Sequence, residues 1–100
     1  RAWSALERPL SGEPALVIDA SGNPVVAYQI GTGGVYEIYA RRWDGTAWVH
    51  IGGSDFGGGI SNTHSGSQTP SIAVGGGRIC VSWVEEATHQ PQVLLRCYDD

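Results

Sequence analysis

Two stretches decide how this chain is read: Pro14-Ala15-Leu16-Val17-Ile18 and Pro70-Ser71-Ile72-Ala73-Val74, 56 positions apart. Each opens a longer match. Val26-Ala27-Tyr28 is echoed 55 positions on by Val81-Ser82-Trp83, and Arg41-Arg42-Trp43-Asp44 by Arg96-Cys97-Tyr98-Asp99. The step from 56 to 55 puts a one-residue deletion in the turn at Gly75-Gly76-Gly77. The chain therefore holds two copies of one unit, and a fixed internal period outranks local signals in assigning architecture.

Within a unit four apolar runs stand out: Ala15 to Ile18, Val25 to Gln29, Tyr36 to Trp43 and Thr46 to Ile51. Turn residues separate them, namely Asp19-Ala20-Ser21-Gly22-Asn23, Gly33-Gly34 and Asp44-Gly45. Asp-Gly between apolar runs is a strong hairpin signal. Ala15 and Val17 are apolar on one face while Leu16 and Ile18 are apolar on the other, so the sheet expects neighbours on both sides. At the start, Trp3-Ser4-Ala5-Leu6 matches Trp48-Val49-His50-Ile51 at an offset of 45, which together with 55 makes up the 100 residues. Joining Asp100 to Arg1 would regenerate a hairpin of the same length as Asp44 to Trp48. The expected organisation is a single module over residues 1–100. Unit one runs from about 4 to 51, and unit two from about 52 to 100, completed by strand 1–6.

Composition narrows the class further. Of 100 residues, 41% are apolar, 16% charged and 15 are glycine, about twice the usual glycine share of roughly 7%. The aromatic and β-branched content excludes disorder, and glycine, proline and β-branched clusters leave no room for a long helix. The class is all-β. No run of 18 apolar residues occurs, so no membrane span is expected, and no apolar leader follows a basic start. The chain begins at Arg1 rather than methionine, which reads as a trimmed or processed start. A net charge of −4 argues against nucleic acid, whose phosphates need a basic stripe.

Four-stranded antiparallel units of about 45 residues, repeated and permuted by one strand, resemble the blades of a β-propeller. Two blades cannot close a ring, because each end leaves an apolar sheet face open. The expectation is a symmetric homo-oligomer, three chains for six blades or four for eight. Pro24-Val25-Val26-Ala27-Tyr28 and Arg42-Trp43-Asp44-Gly45-Thr46-Ala47-Trp48 resemble bacterial propeller repeats with a Trp-Asp-Gly-x-x-Trp hairpin. The layout is similar to fucose-binding six-bladed lectins, some of which build the ring from three two-blade chains. That resemblance implies carbohydrate binding and an extracellular or bacterial-surface setting. The lectins' sugar-binding arginine and glutamate fall here on Val26 and Val81 and on Ala40 and Leu95. Only the aromatic positions, Trp43 and Tyr98, match.

Catalytic and metal chemistry find little support. His50, His64, His89 and the two cysteines lack the short spacings of a zinc site. Asp19, Ser21 and Asn23 lack the further acidic ligands of a calcium loop and read as a turn. Gly57-Gly58-Gly59 follows no strand-to-helix pattern and has no lysine to cradle phosphate. A hydrolytic carboxylate pair could be drawn from Glu37, Glu85 and Glu86, but Glu85-Glu86 reads as a solvated turn in a loop. No cofactor and no enzyme activity are expected.

The cysteines are too few for a disulfide scaffold. A two-residue turn at Gly33-Gly34 pairs Val25 with Arg42, and the repeat then sets Cys80 opposite Cys97. At a non-hydrogen-bonded position the Cα atoms are about 4.5 Å apart, which a disulfide tolerates. Both a cross-strand disulfide and two reduced core thiols fit that register.

Blade topology gathers the long, dissimilar connections on one face: 7–13, 52–69 and 85–92. Phe56, His64 and His89 on those loops form one candidate binding surface. The groove between blades is the other, where Trp43, Trp48, Trp3 and Tyr98 could offer flat faces to a sugar ring. The function expected is a non-enzymatic, self-assembling module that binds glycans or a related ligand. The alternative is a purely structural propeller fragment, engineered or excised, without a ligand.

Overall fold

The computed structural model describes residues 11–32, 35–52, 59–61, 66–85 and 91–99. Seven strands are present: β1 (Ser11–Ile18), β2 (Pro24–Thr32), β3 (Val35–Trp43), β4 (Trp48–His50), β5 (Ser67–Gly75), β6 (Arg78–Glu85) and β7 (Gln92–Asp99). They form two antiparallel sheets, sheet A in the order β1-β2-β3-β4 and sheet B in the order β5-β6-β7. The chain is all-β among the described residues. Strand 1–6, which the repeat assigns as the fourth member of sheet B, lies outside them.

Val25 sits opposite Arg42 and Cys80 opposite Cys97, the register that a two-residue turn at 33–34 implies. The strands run further than the apolar runs. β1 and β5 each pass through a proline, Pro14 and Pro70, with a register shift between Gly12 and Ala15 and between Gln68 and Ser71. Proline lacks the N–H that a regular ladder needs, so a bulge is where it is tolerated. Within the second bulge Thr69 has φ 57°, and its N–H donates to Gln29 Oε1 of the facing sheet at 3.0 Å. The one-residue deletion is local to the first turn. Val74 pairs with Ile79 across four residues, 75–78, where unit one spends five, 19–23, between Ile18 and Pro24.

The fourth run is shorter than the Thr46-to-Ile51 expectation. Asp44 Oδ1 accepts from the Thr46 N–H at 2.8 Å, from the Ala47 N–H at 2.8 Å and from the Thr46 hydroxyl at 3.0 Å. Asp44 N–H also donates to the Ala47 carbonyl at 3.0 Å, and Gly45 takes φ 107°. The side chain thus closes a turn over 44–47, and pairing resumes at Trp43 with Trp48. These donors, the backbone ones foremost, hold the Asp44 carboxyl below its ordinary value of 3.8. A lowered carboxyl pKa stabilises the turn above the ordinary value, and that contribution is lost as pH falls through the lower one. In an acid titration followed by NMR, the Thr46 and Ala47 amides should move with a midpoint below 3.8. A midpoint at or above 3.8 would remove the carboxylate from the turn.

The sheets stack through one face each. From sheet A come Val17, Val25, Ala27, Ile38 and Ala40, and from sheet B come Ile72, Val74, Ile79, Val81 and Trp83. Each fully buried valine or isoleucine there is worth about 1.5–3 kcal/mol over an exposed one. Segment 59–61 covers β3 where β4 no longer pairs with it. Ile60 N–H donates to the Ile38 carbonyl at 2.7 Å, and Ile38 N–H donates to Ser61 Oγ at 2.9 Å. Gly59 makes this approach with φ 67°, and a Cβ there would collide with the Ile38 carbonyl oxygen.

Candidate ligand cleft between the two sheets

Alternation along β7 places Arg96 opposite Val81 and Tyr98 opposite Ile79, on the side of sheet B that faces sheet A. Both side chains are exposed and line the opening between the sheets. Opposite them the chain leaves β4 through Ile51 and Gly52. A Cβ on Gly52 would stand 3.1 Å from Tyr98 Cε1, so the glycine leaves the phenol ring its place. The result is a cleft of about 300 Å³, floored by Ala40, Ile51, Ile60 and Val81 and rimmed by Arg96 and Tyr98. Its chemistry is an apolar floor, one aromatic ring and one guanidinium with several donors. That combination suits a ligand with apolar C–H faces and hydroxyls at its edge.

Of the sequence-derived site residues, the described ones do not converge. Trp43 and Trp48 are cross-strand partners on the opposite, outer face of sheet A, with ring centroids 5.7 Å apart at 64°. The Trp48 Nε1 is shielded and has no acceptor among the described residues. Tyr98 is separated from that pair by the thickness of sheet A. Trp3, Phe56, His64 and His89 lie outside the described residues. Cys80 and Cys97 are bonded to each other, with Cα atoms 4.0 Å apart, on the face of sheet B turned away from sheet A.

One group of residues departs from the sequence reading. Glu85 is not in a solvated turn. It ends β6 and is buried, in line with Ile79, Val81 and Trp83 on the inward side. The alternation of β6 already contained that signal. Ser67 Oγ donates to Glu85 Oε1 at 2.7 Å and lies 3.4 Å from Glu37 Oε1. Trp83 Nε1 donates to Glu85 Oε1 at 2.9 Å, and Ser61 Oγ to Glu37 Oε1 at 2.6 Å. Two buried carboxylates from different sheets are thus joined through one serine. Glu86 lies outside the described residues. Burial also reaches the neighbouring phenol of Tyr39, which stacks on Tyr28. Desolvation first, then the Glu37 charge, pushes its pKa up.

The Asp19 turn is self-capped. Asp19 Oδ1 accepts from the N–H groups of Ser21 and Asn23 at 3.0 and 2.9 Å, and Oδ2 lies 3.3 Å from Arg42 Nε. That carboxylate serves the turn and the β3 guanidinium, the role an Asx turn gives it.

Set against family models, curated proteins and solved structures, the chain matches none of them.

Proposed function

We propose that each sheet is one blade of a β-propeller and that the module binds a carbohydrate in the cleft between blades, without catalysing a reaction. The ring is closed by further copies of the chain, three for six blades or four for eight. The observation that carries the binding reading is the pairing of Arg96 and Tyr98 at the mouth of an apolar cleft of about 300 Å³ between successive sheets. That volume is at the lower end for small-molecule sites, the size of a single sugar ring. The Tyr98 ring would stack on the C–H face of a pyranose while the guanidinium donates to its hydroxyls. Glu37 and Glu85 support the non-catalytic half of the reading. Their Oε1 atoms are engaged by serine hydroxyls and an indole N–H, and the side chains are buried as ties between sheets.

A glycan array followed by titration calorimetry tests the proposal. Saturable binding to one glycan class is expected, with Tyr98→Ala and Arg96→Ala each weakening it by at least about tenfold, equivalent to about 1.4 kcal/mol. Both side chains are exposed, so thermal stability should hardly change. An array silent at high protein concentration, or binding indifferent to both substitutions, overturns the sugar reading.

A further inference from the structure

The faces left open on the two sheets are the two halves of the interface already buried between them. The repeat makes this visible. On the outer face of sheet A, Leu16 and Ile18 are 64% and 54% exposed. Their counterparts in unit two, Ile72 and Val74, pack into the core between the sheets. Val26, half-buried on that outer face, likewise corresponds to Val81, which sheet B buries against sheet A, whereas Tyr28, the counterpart of Trp83, is already covered at 3% exposure. On the outer face of sheet B, Val93 and Leu95 are 74% and 63% exposed. Their counterparts in unit one, Ile38 and Ala40, are 0% and 1% exposed. Cys80, on the same face, corresponds to the buried Val25.

Alternation explains the pattern. The sheets do not meet through equivalent faces. One face of unit one meets the opposite face of unit two, as in a stack where each member repeats the last. Such a stack leaves one unmatched half at each end, and those halves are dissimilar. They lie on opposite sides of the pair of sheets, so they cannot meet within one chain. Monomers rarely leave open apolar faces of this kind.

We infer that the outer face of sheet A docks onto the outer face of sheet B of a second copy of this chain, head to tail. Leu16, Ile18 and Val26 of one copy then lie against Val93 and Leu95 of the next, as Ile72, Val74 and Val81 lie against Ile38 and Ala40 within the chain. A contact between unlike patches is heterologous, so it propagates until rotation closes a ring. The inference rests on the blade reading above and is independent of the sugar.

The test is solution mass by light scattering over a concentration series, using the chain and two variants, Leu16→Glu and Val93→Glu. Both positions are exposed in the protomer, and circular dichroism checks that each variant keeps its strands. The unaltered chain is expected above protomer mass, and each variant alone at protomer mass. An equimolar mixture of the two should reach twice the protomer mass. There the intact sheet A face of the Val93→Glu chain meets the intact sheet B face of the Leu16→Glu chain. A mixture that stays at protomer mass, or a variant that still self-associates, overturns the face assignment while leaving a ring built by other contacts standing. An unaltered chain at protomer mass throughout overturns both the assignment and ring closure by copies.

Discussion

Glu85→Ala is expected to lower the stability of the fold by about 2–4 kcal/mol, the cost of leaving buried hydrogen-bond donors without their acceptor. The substitution deletes Oε1, the acceptor for both the Trp83 indole and the Ser67 hydroxyl. Each buried donor left without an acceptor costs about 1–3 kcal/mol. Ser67 can fall back on Glu37 Oε1, at 3.4 Å in the present arrangement, whereas the Trp83 indole is bonded to Glu85 Oε1 at 2.9 Å. Glu85→Gln keeps an acceptor oxygen at the same place and should cost roughly 1 kcal/mol, within the range of a single net hydrogen bond. Urea unfolding of the chain and both variants separates the cases. The midpoint should fall strongly for alanine and modestly for glutamine, with the slope unchanged. Equal and small shifts would show that the cluster is not a tie between sheets.

Reduction of the Cys80–Cys97 bond should be the other large perturbation. The bond closes 17 residues, for which the chain-entropy account gives about 3 kcal/mol of stabilisation. For a domain of this size that corresponds to a fall in Tm of about 12–24 °C. Reductant can reach the pair, because Cys97 is exposed and Cys80 half-buried on the open face of sheet B. Intact mass before and after reduction establishes the bond. Calorimetry with and without reductant, and of the Cys80→Ser, Cys97→Ser double variant, measures its effect. An unchanged mass would mean two free thiols, and an unchanged Tm would mean that β6 and β7 hold together through their ladder alone. The comparison also bears on assembly, since Cys97 sits beside Val93 and Leu95 on the surface inferred to meet a second copy.

These two sites differ in how far they could be read in advance. The disulfide follows from local rules. A two-residue turn sets the register of β2 and β3, and the repeat transfers it to β6 and β7. The Glu37–Ser67–Glu85 cluster does not. Its members come from β3, β5 and β6, and Ser61 enters from a segment 24 positions away from Glu37. Such meetings depend on how one sheet lies on the other. Glu85 was half-legible, since it continues the inward alternation of β6, but beside Glu86 it reads as a solvated turn. Trp43 and Tyr98 hold the same repeat position. The stacking of the sheets separates them, because it buries one face of unit one against the opposite face of unit two.

The sequence by itself determined the all-β class, the order of the described strands and the register of the β2–β3 and β6–β7 pairs. Those features are carried by periodicity and turn chemistry over a few residues, which repetition makes visible twice. Only the tertiary structure decided which sheet face is core and which is open. It also decided that Arg96 and Tyr98 share a cleft, and that two glutamates lie inside. An alternating strand offers two faces, and the choice between them is made by whatever packs across it, a partner that local sequence does not name.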